Sequence, residues 1–155
     1  MPEYSINLEW IRNTPEFEYL KYSRTHTVTF GTNGKNLVSA SREFHGDPQY
    51  LNPEQAFVIS LSSCHLLTFL ALASKKGFII EKYTDKALGE IGKNDIGKLA
   101  IIQVILRPNV VFSGEKKPSE GDFQNLHDRA KKSCIIANSI SNCVKLITEP
   151  KMIIY

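Results

Sequence analysis

Between positions 51 and 77 the chain reads LNPEQAFVISLSSCHLLTFLALASKKG, apolar or small at almost every position. The pattern predicts a long helix with legible ends. Asn52 suits the N-cap, Pro53 the first helical position, and Glu54 and Gln55 place acceptors in the positive first turn. Lys75 and Lys76 suit the negative end, and Gly77 supplies a left-handed cap. No face is polar, so the expectation is a helix buried all round rather than an amphipathic one. Such a helix needs cover on every side, and one chain of 155 residues offers only a modest sheet. That points to a dimer in which the helix also packs on a partner copy.

Elsewhere the alternation is that of strands. Residues 4–11 read as a first strand, 17–30 as a second, closed by the turn Gly31-Thr32-Asn33-Gly34, and 37–40 as a short third. Residues 41–52 read as a loop. After Gly77, segments 79–91 and 99–112 form a hairpin around Lys93-Asn94-Asp95-Ile96-Gly97. The dense apolar run from Ala100 to Leu106 makes the second of them central. Ser119 with Asp122 resembles a capping box opening a second helix, with Phe123, Leu126 and Ala130 on one face and an end near Lys132. A shorter helical piece at 134–143 and a last strand at 144–155 complete an α+β chain. No repeat, low-complexity tract or linker divides it, so a single domain over residues 1–155 is expected.

Composition narrows the class of protein more than it identifies it. The chain is 42% hydrophobic and 23% charged, ordinary for a globular protein. Its net charge of +3 comes from scattered lysines, which gives no support to a nucleic-acid partner. The start, MPEYSINLEW, carries no export signal pattern. The apolar stretch 56–73 approaches membrane-span length, but Ser60, Ser62, Ser63, Cys64, His65 and Thr68 interrupt it, so the reading is a core helix and no membrane. The expected compartment is the cytoplasm, where three cysteines are thiols or a catalytic pair rather than a disulfide framework.

Those cysteines are the candidate chemistry. Cys64 and Cys134 are 70 residues apart, so no local metal or redox spacing joins them. Cys64 sits in mid-helix after Ser62-Ser63 and before His65, an unusually polar neighbourhood. Cys134 follows Lys131-Lys132-Ser133 where a new helical turn would bring backbone donors to it, and a helix start and nearby cations both lower a thiol pKa. Cys143, nine residues on, has neither advantage and reads as packing. Adjacent helical residues diverge by about 100 degrees, so Cys64 and His65 cannot form a dyad, and His26 would be the histidine to complete one. A zinc site from these groups lacks any close ligand pair, so neither metal nor cofactor is expected. An arginine can hold a thiolate because a guanidinium keeps its charge, and the candidates are Arg24 at the mouth of a strand and Arg12 and Arg42 in expected loops. Glu54 lies ten residues before Cys64, about 15 Å along a helix, so it acts only by orienting another group.

At this point the residues resemble a known family. N52-P-E-Q55, S63-C-H-L-L-T-F-L-A71 and K132-S-C-I-I-A-N-S-I140 are similar to the OsmC/Ohr thiol peroxidases, in particular the OsmC-like branch. The resemblance implies an OsmC-like fold, with antiparallel sheets wrapped around two long central helices in an intertwined homodimer. It implies a peroxidatic Cys64, a resolving Cys134, and an Arg24–Glu54 pair holding the thiolate. It also implies an organic hydroperoxide substrate reduced to its alcohol through a Cys64 sulfenic acid and a Cys64–Cys134 disulfide, with a dithiol reductant supplied by lipoylated proteins. A redox sensor, or a module holding a hydrophobic ligand, remains open on the same fold.

Overall fold

A computed structural model describes residues 1–140 and 142–155. The chain divides into two compact units, Met1–Ala56 and Phe57–Tyr155. In the first, β1 (Ile6–Glu9), β2 (His26–Phe30) and β3 (Gly34–Val38) form an antiparallel sheet. The register sets Ile6 opposite Phe30 and Leu8 opposite Val28, so one face of this sheet is apolar. The long second strand expected over 17–30 begins only at His26. The residues before it fold into a turn, Tyr22 N donating to Glu18 O, and an aromatic knot in which Phe17 and Tyr22 lie 4.9 Å apart. Strand propensity lost there to packing among rings.

The second unit carries most of the first long helix, α1 (Pro53–Lys75), whose ends follow the predicted chemistry. Gln55 N donates to Asn52 Oδ1 at 2.8 Å while Asn52 N donates to Gln55 Oε1 at 3.1 Å, a reciprocal cap. At the other end Phe78 N donates to Ala73 O and Gly77 N to Ser74 O, a Schellman stop that needs the positive φ of 76° adopted by Gly77. The stripe Leu61, His65, Phe69 and Ala73 is buried, but Ile59 and Leu67 are 53% and 64% exposed. Burial on every side is therefore not achieved within one chain, because its strands and second helix cover one face of α1. By length and composition this helix could cross a membrane, yet its inner stripe is packed as a globular core.

Three strand segments, each bent once, make the remaining sheets. β4 (Ile79–Asp85) continues into β5 (Leu88–Lys93), β6 (Leu99–Leu106) into β7 (Pro108–Ser113), and β8 (Lys145–Thr148) into β9 (Lys151–Ile154). Their orders are β4-β7-β9 and β5-β6-β8. The expected strands 79–91, 99–112 and 144–155 are thus present but creased at residues 86–87, 107 and 149–150. The crease is held by side chains: Arg107 N donates to Asp85 Oδ1 at 2.7 Å, and Arg107 Nε to Glu149 Oε2 at 2.9 Å. β6–β8 and β7–β9 pair in parallel, whereas β4–β7 and β5–β6 are antiparallel. The parallel pairs arise because α2 (Glu120–Ser133) and α3 (Ile135–Ile140) form a crossover between β7 and β8. The predicted capping box is formed, with Ser119 Oγ accepting from Asp122 N and Asp122 Oδ2 accepting from Ser119 N.

Two apolar clusters fill this unit. One joins Phe69, Ala73, Phe78, Val110, Phe112, Phe123, Leu126 and Ala130, and the other Leu61, Val104, Leu106, Cys134, Ala137 and Leu146.

Candidate redox site

Cys64 stands at mid-length on α1, and Cys134 is the residue at which α2 stops and α3 starts. With φ −73° and ψ 117°, Cys134 leaves the helical region after Ser133. Its carbonyl then accepts Asn138 N at 3.0 Å, and its sulfur accepts Ala137 N at 3.3 Å, so the cysteine caps α3. This is the junction with backbone donors that the sequence suggested. The two Cα atoms are 5.8 Å apart, inside the range a disulfide spans, and the sulfurs are joined. Cys134 is 1% exposed, whereas Cys64 is half-buried against the same cluster. Cys143 is free and exposed, so it is not the packing residue expected of it.

The polarity around Cys64 has specific partners. Ser60 Oγ donates to Phe57 O and Thr68 Oγ1 to Cys64 O, returning both hydroxyls to the helix backbone. Ser62 Oγ donates to Asp85 Oδ2 at 2.6 Å, so one carboxylate ties α1 to the crease and also accepts Arg107 N. His65 turns away from Cys64, as the helical angle requires, and meets His127 of α2. Their rings stack at 5.2 Å with Nε2 of His65 and Nδ1 of His127 2.9 Å apart, one N–H donating to the other lone pair. Both are 1% exposed. Burial is the main cause holding His65 down to about 4, with Asp85 opposing it and Lys131 adding to it; burial and then His65 hold His127 down to about 3. Two neutral rings are the result.

Sequence reasoning did not single out His127 or Asp85. His127 was findable, since it lies four residues after Phe123 on the inward face of α2. Asp85 showed itself only as a carboxylate inside an otherwise alternating strand.

The remaining site candidates belong to the N-terminal unit. Arg24 donates through Nη1 to Tyr22 O at 2.9 Å and through Nη2 to Tyr19 O at 2.5 Å, with its guanidinium over both tyrosine rings. Arg12 donates to Thr14 O and Pro15 O. Glu54 Oε2 is buried without a hydrogen-bond partner among the described residues, and no ion pair joins it to either arginine there. His26 spends Nδ1 on Arg24 O at 2.9 Å.

A creased pair of three-stranded sheets around a cysteine-bearing helix, with that cysteine bonded to a second one capping a later helix, defines an OsmC-type thiol–disulfide protein. The OsmC-like protein family model matches residues 46–149. An OsmC-like protein of unknown function from Vibrio cholerae is 41% identical, with TM-score 0.91, over 97% of this chain and 99% of that one. At lower identity, 17% and 16%, lie an organic hydroperoxide resistance protein of Legionella pneumophila, with TM-score 0.69 over 97% of this chain and 99% of that one, and one of Bacillus subtilis, with TM-score 0.68 over 96% and 98%. No curated protein matches the chain. The chain belongs to the OsmC-like family.

Proposed function

We propose that this protein is a cysteine-based peroxidase that reduces organic hydroperoxides. The observation that carries the proposal is the Cys64–Cys134 disulfide, which joins a half-buried cysteine in mid-helix to one whose sulfur accepts the Ala137 N–H at the start of α3. In the reaction the Cys64 thiolate attacks the distal peroxide oxygen, the O–O bond breaks, and the alcohol leaves with a proton. Cys134 attacks the resulting sulfenic acid, water departs, and the disulfide remains for a dithiol to reduce. The apolar cluster against which Cys64 packs, including Leu61, Val104 and Leu106, favours a hydrocarbon-bearing peroxide over hydrogen peroxide. The organic hydroperoxide resistance proteins of the same fold support the substrate class, and this reading assigns a dithiol reductant, with lipoylated proteins in the cytoplasm as its source.

Consumption of cumene hydroperoxide with dihydrolipoamide tests this directly. Many turnovers are expected of the wild type and none of Cys64→Ser, whose fold should persist because serine is nearly isosteric. About one equivalent consumed would indicate a redox sensor, and none a module that binds a hydrophobic ligand.

Arg24, oriented by Glu54, is the cation this reading assigns to the reduced Cys64. Support comes from the unpaired buried oxygen of Glu54 and from a guanidinium that two carbonyls leave with donors to spare. Arg24→Ala should raise the Cys64 thiol pKa, each unit being about 1.4 kcal/mol. Alkylation rate against pH decides it, and an unmoved titration turns attention to Arg12. A homodimer is the assembly that would cover Ile59 and Leu67 on α1 and the apolar face of Ile6, Leu8 and Phe30. A stable monomer in analytical ultracentrifugation at micromolar concentration would remove it.

A further inference from the structure

The two sulfurs of the disulfide are not equivalent, and the difference bears on how the oxidised protein is reset. Thiol–disulfide exchange needs a thiolate to approach one sulfur from the side opposite the bond that breaks, and it runs faster when the departing sulfur is the better leaving group. Cys134 is 1% exposed and packed in the cluster of Leu61, Val104, Leu106, Ala137 and Leu146. A thiolate reaching that sulfur would surrender its hydration among aliphatic side chains. Cys64 is half-buried on a helix whose next turn carries Leu67, 64% exposed. The same burial disfavours a departing Cys134 thiolate, so accessibility carries the argument, and one contact offsets part of that cost. Ala137 N donates to Cys134 Sγ at 3.3 Å, and a hydrogen bond to the sulfur favours its anionic form over the thiol. Thr68 donates to the Cys64 carbonyl, and no hydrogen bond to the Cys64 sulfur is found among the described residues.

From this geometry we infer that the reductant attacks Cys64 and expels Cys134. This deepens the peroxidase reading and rests on it for the dithiol. One sulfur of the dithiol, as thiolate, bonds to Cys64 Sγ; the Cys64–Cys134 bond breaks, and its electron pair stays on Cys134, held by the Ala137 N–H until a proton arrives. The second sulfur of the dithiol then attacks the first, closes a cyclic disulfide, and releases Cys64 as a thiolate. Two electrons pass to the protein, and the dithiol's two protons go to solvent or to the freed cysteines. Cys64 is thereby the point of contact for both the peroxide and the reductant, while Cys134 never leaves the core.

Glutathione is the probe, because a monothiol cannot close a ring and leaves its adduct on the attacked sulfur. The oxidised full chain carrying Cys143→Ser, which removes the exposed third thiol, is pulsed with glutathione, quenched in acid, alkylated and mapped by mass spectrometry. Glutathione is expected on the Cys64 peptide and the alkyl group on Cys134, by at least about tenfold over the reverse arrangement. Adduct on Cys134, or an even division, overturns the inference. So does a disulfide that stays closed in the native protein and opens only in denaturant, for then neither sulfur is accessible. No peroxide enters this assay. A chain that consumes no hydroperoxide yet takes glutathione on Cys64 would lose the peroxidase reading and keep this one.

Discussion

The two ends of the Phe57–Tyr155 core share their helices and differ in what they are made of. Around Phe69 the core is aromatic: Phe69, Phe112 and Phe123 lie 6.0–6.5 Å apart by ring centroids, and the His127 ring stacks on Phe69 at 4.3 Å. Around Cys134 it is aliphatic and small-chained, ringed by partly buried residues that include Cys64. Large rings in mutual edge and stacked contact leave little freedom. Aliphatic packing with a half-buried edge leaves a sulfur that a solute can meet. The molecule thus keeps rigidity at one end of α1 and α2 and reactivity at the other, with the histidine pair between them.

Breaking the aromatic end should have the largest effect on stability. Phe69→Ala is expected to lower the unfolding free energy by about 3–5 kcal/mol, the usual cost of emptying a buried phenylalanine site. Denaturant unfolding measures it, and the variant should still form the Cys64–Cys134 disulfide once folded. A loss under about 1 kcal/mol would mean the rings carry no special share of the core. Opening the reactive end should cost a comparable amount, about 4 kcal/mol for a disulfide closing a 70-residue loop. Comparing oxidised wild type with Cys134→Ser in the same titration gives that number.

The histidine pair should give the most conditional effect, a loss of stability absent at neutral pH. Both native values, about 4 and about 3, lie below the ordinary value of 6.5, so the unfolded chain binds the protons more readily. Their contribution is complete above pH 6.5 and is lost as pH falls from there toward those native values. Each histidine contributes a slope of at most about 1.4 kcal/mol per pH unit. Melting temperatures from pH 7.5 to 5 should fall accordingly, and His127→Leu should flatten the decline. An equally steep decline in that variant would assign acid sensitivity to other groups.

Much of this was legible in the sequence because it is written in local signals. The Asn52–Gln55 cap, the Gly77 stop and the Ser119–Asp122 box each need only a few neighbouring residues, and all are formed. Cys64 and Cys134 came from context and family motif, which stood in for the 70-residue separation that no local rule bridges. What escaped was non-local. The creases depend on Asp85, Arg107 and Glu149 meeting across three strands, a contact that no local pattern specifies. The exposed side of α1 was legible, because a helix apolar on every face exceeds the cover that one chain of 155 residues offers.

Asp85 accepts Ser62 Oγ with one carboxylate oxygen and Arg107 N with the other. It works as a key in a shaft: α1 can neither turn nor slide against the creased strands without severing a bond made two residues from Cys64. Cys134 rides on α3, six residues long and joined to α2 at a non-helical residue. When the disulfide opens, the displacement therefore falls on the Cys134 side. Backbone amide shifts should move through α3 on reduction while those of Leu61 to Phe69 stay nearly still, and the nucleophile meets each new peroxide from an unchanged position.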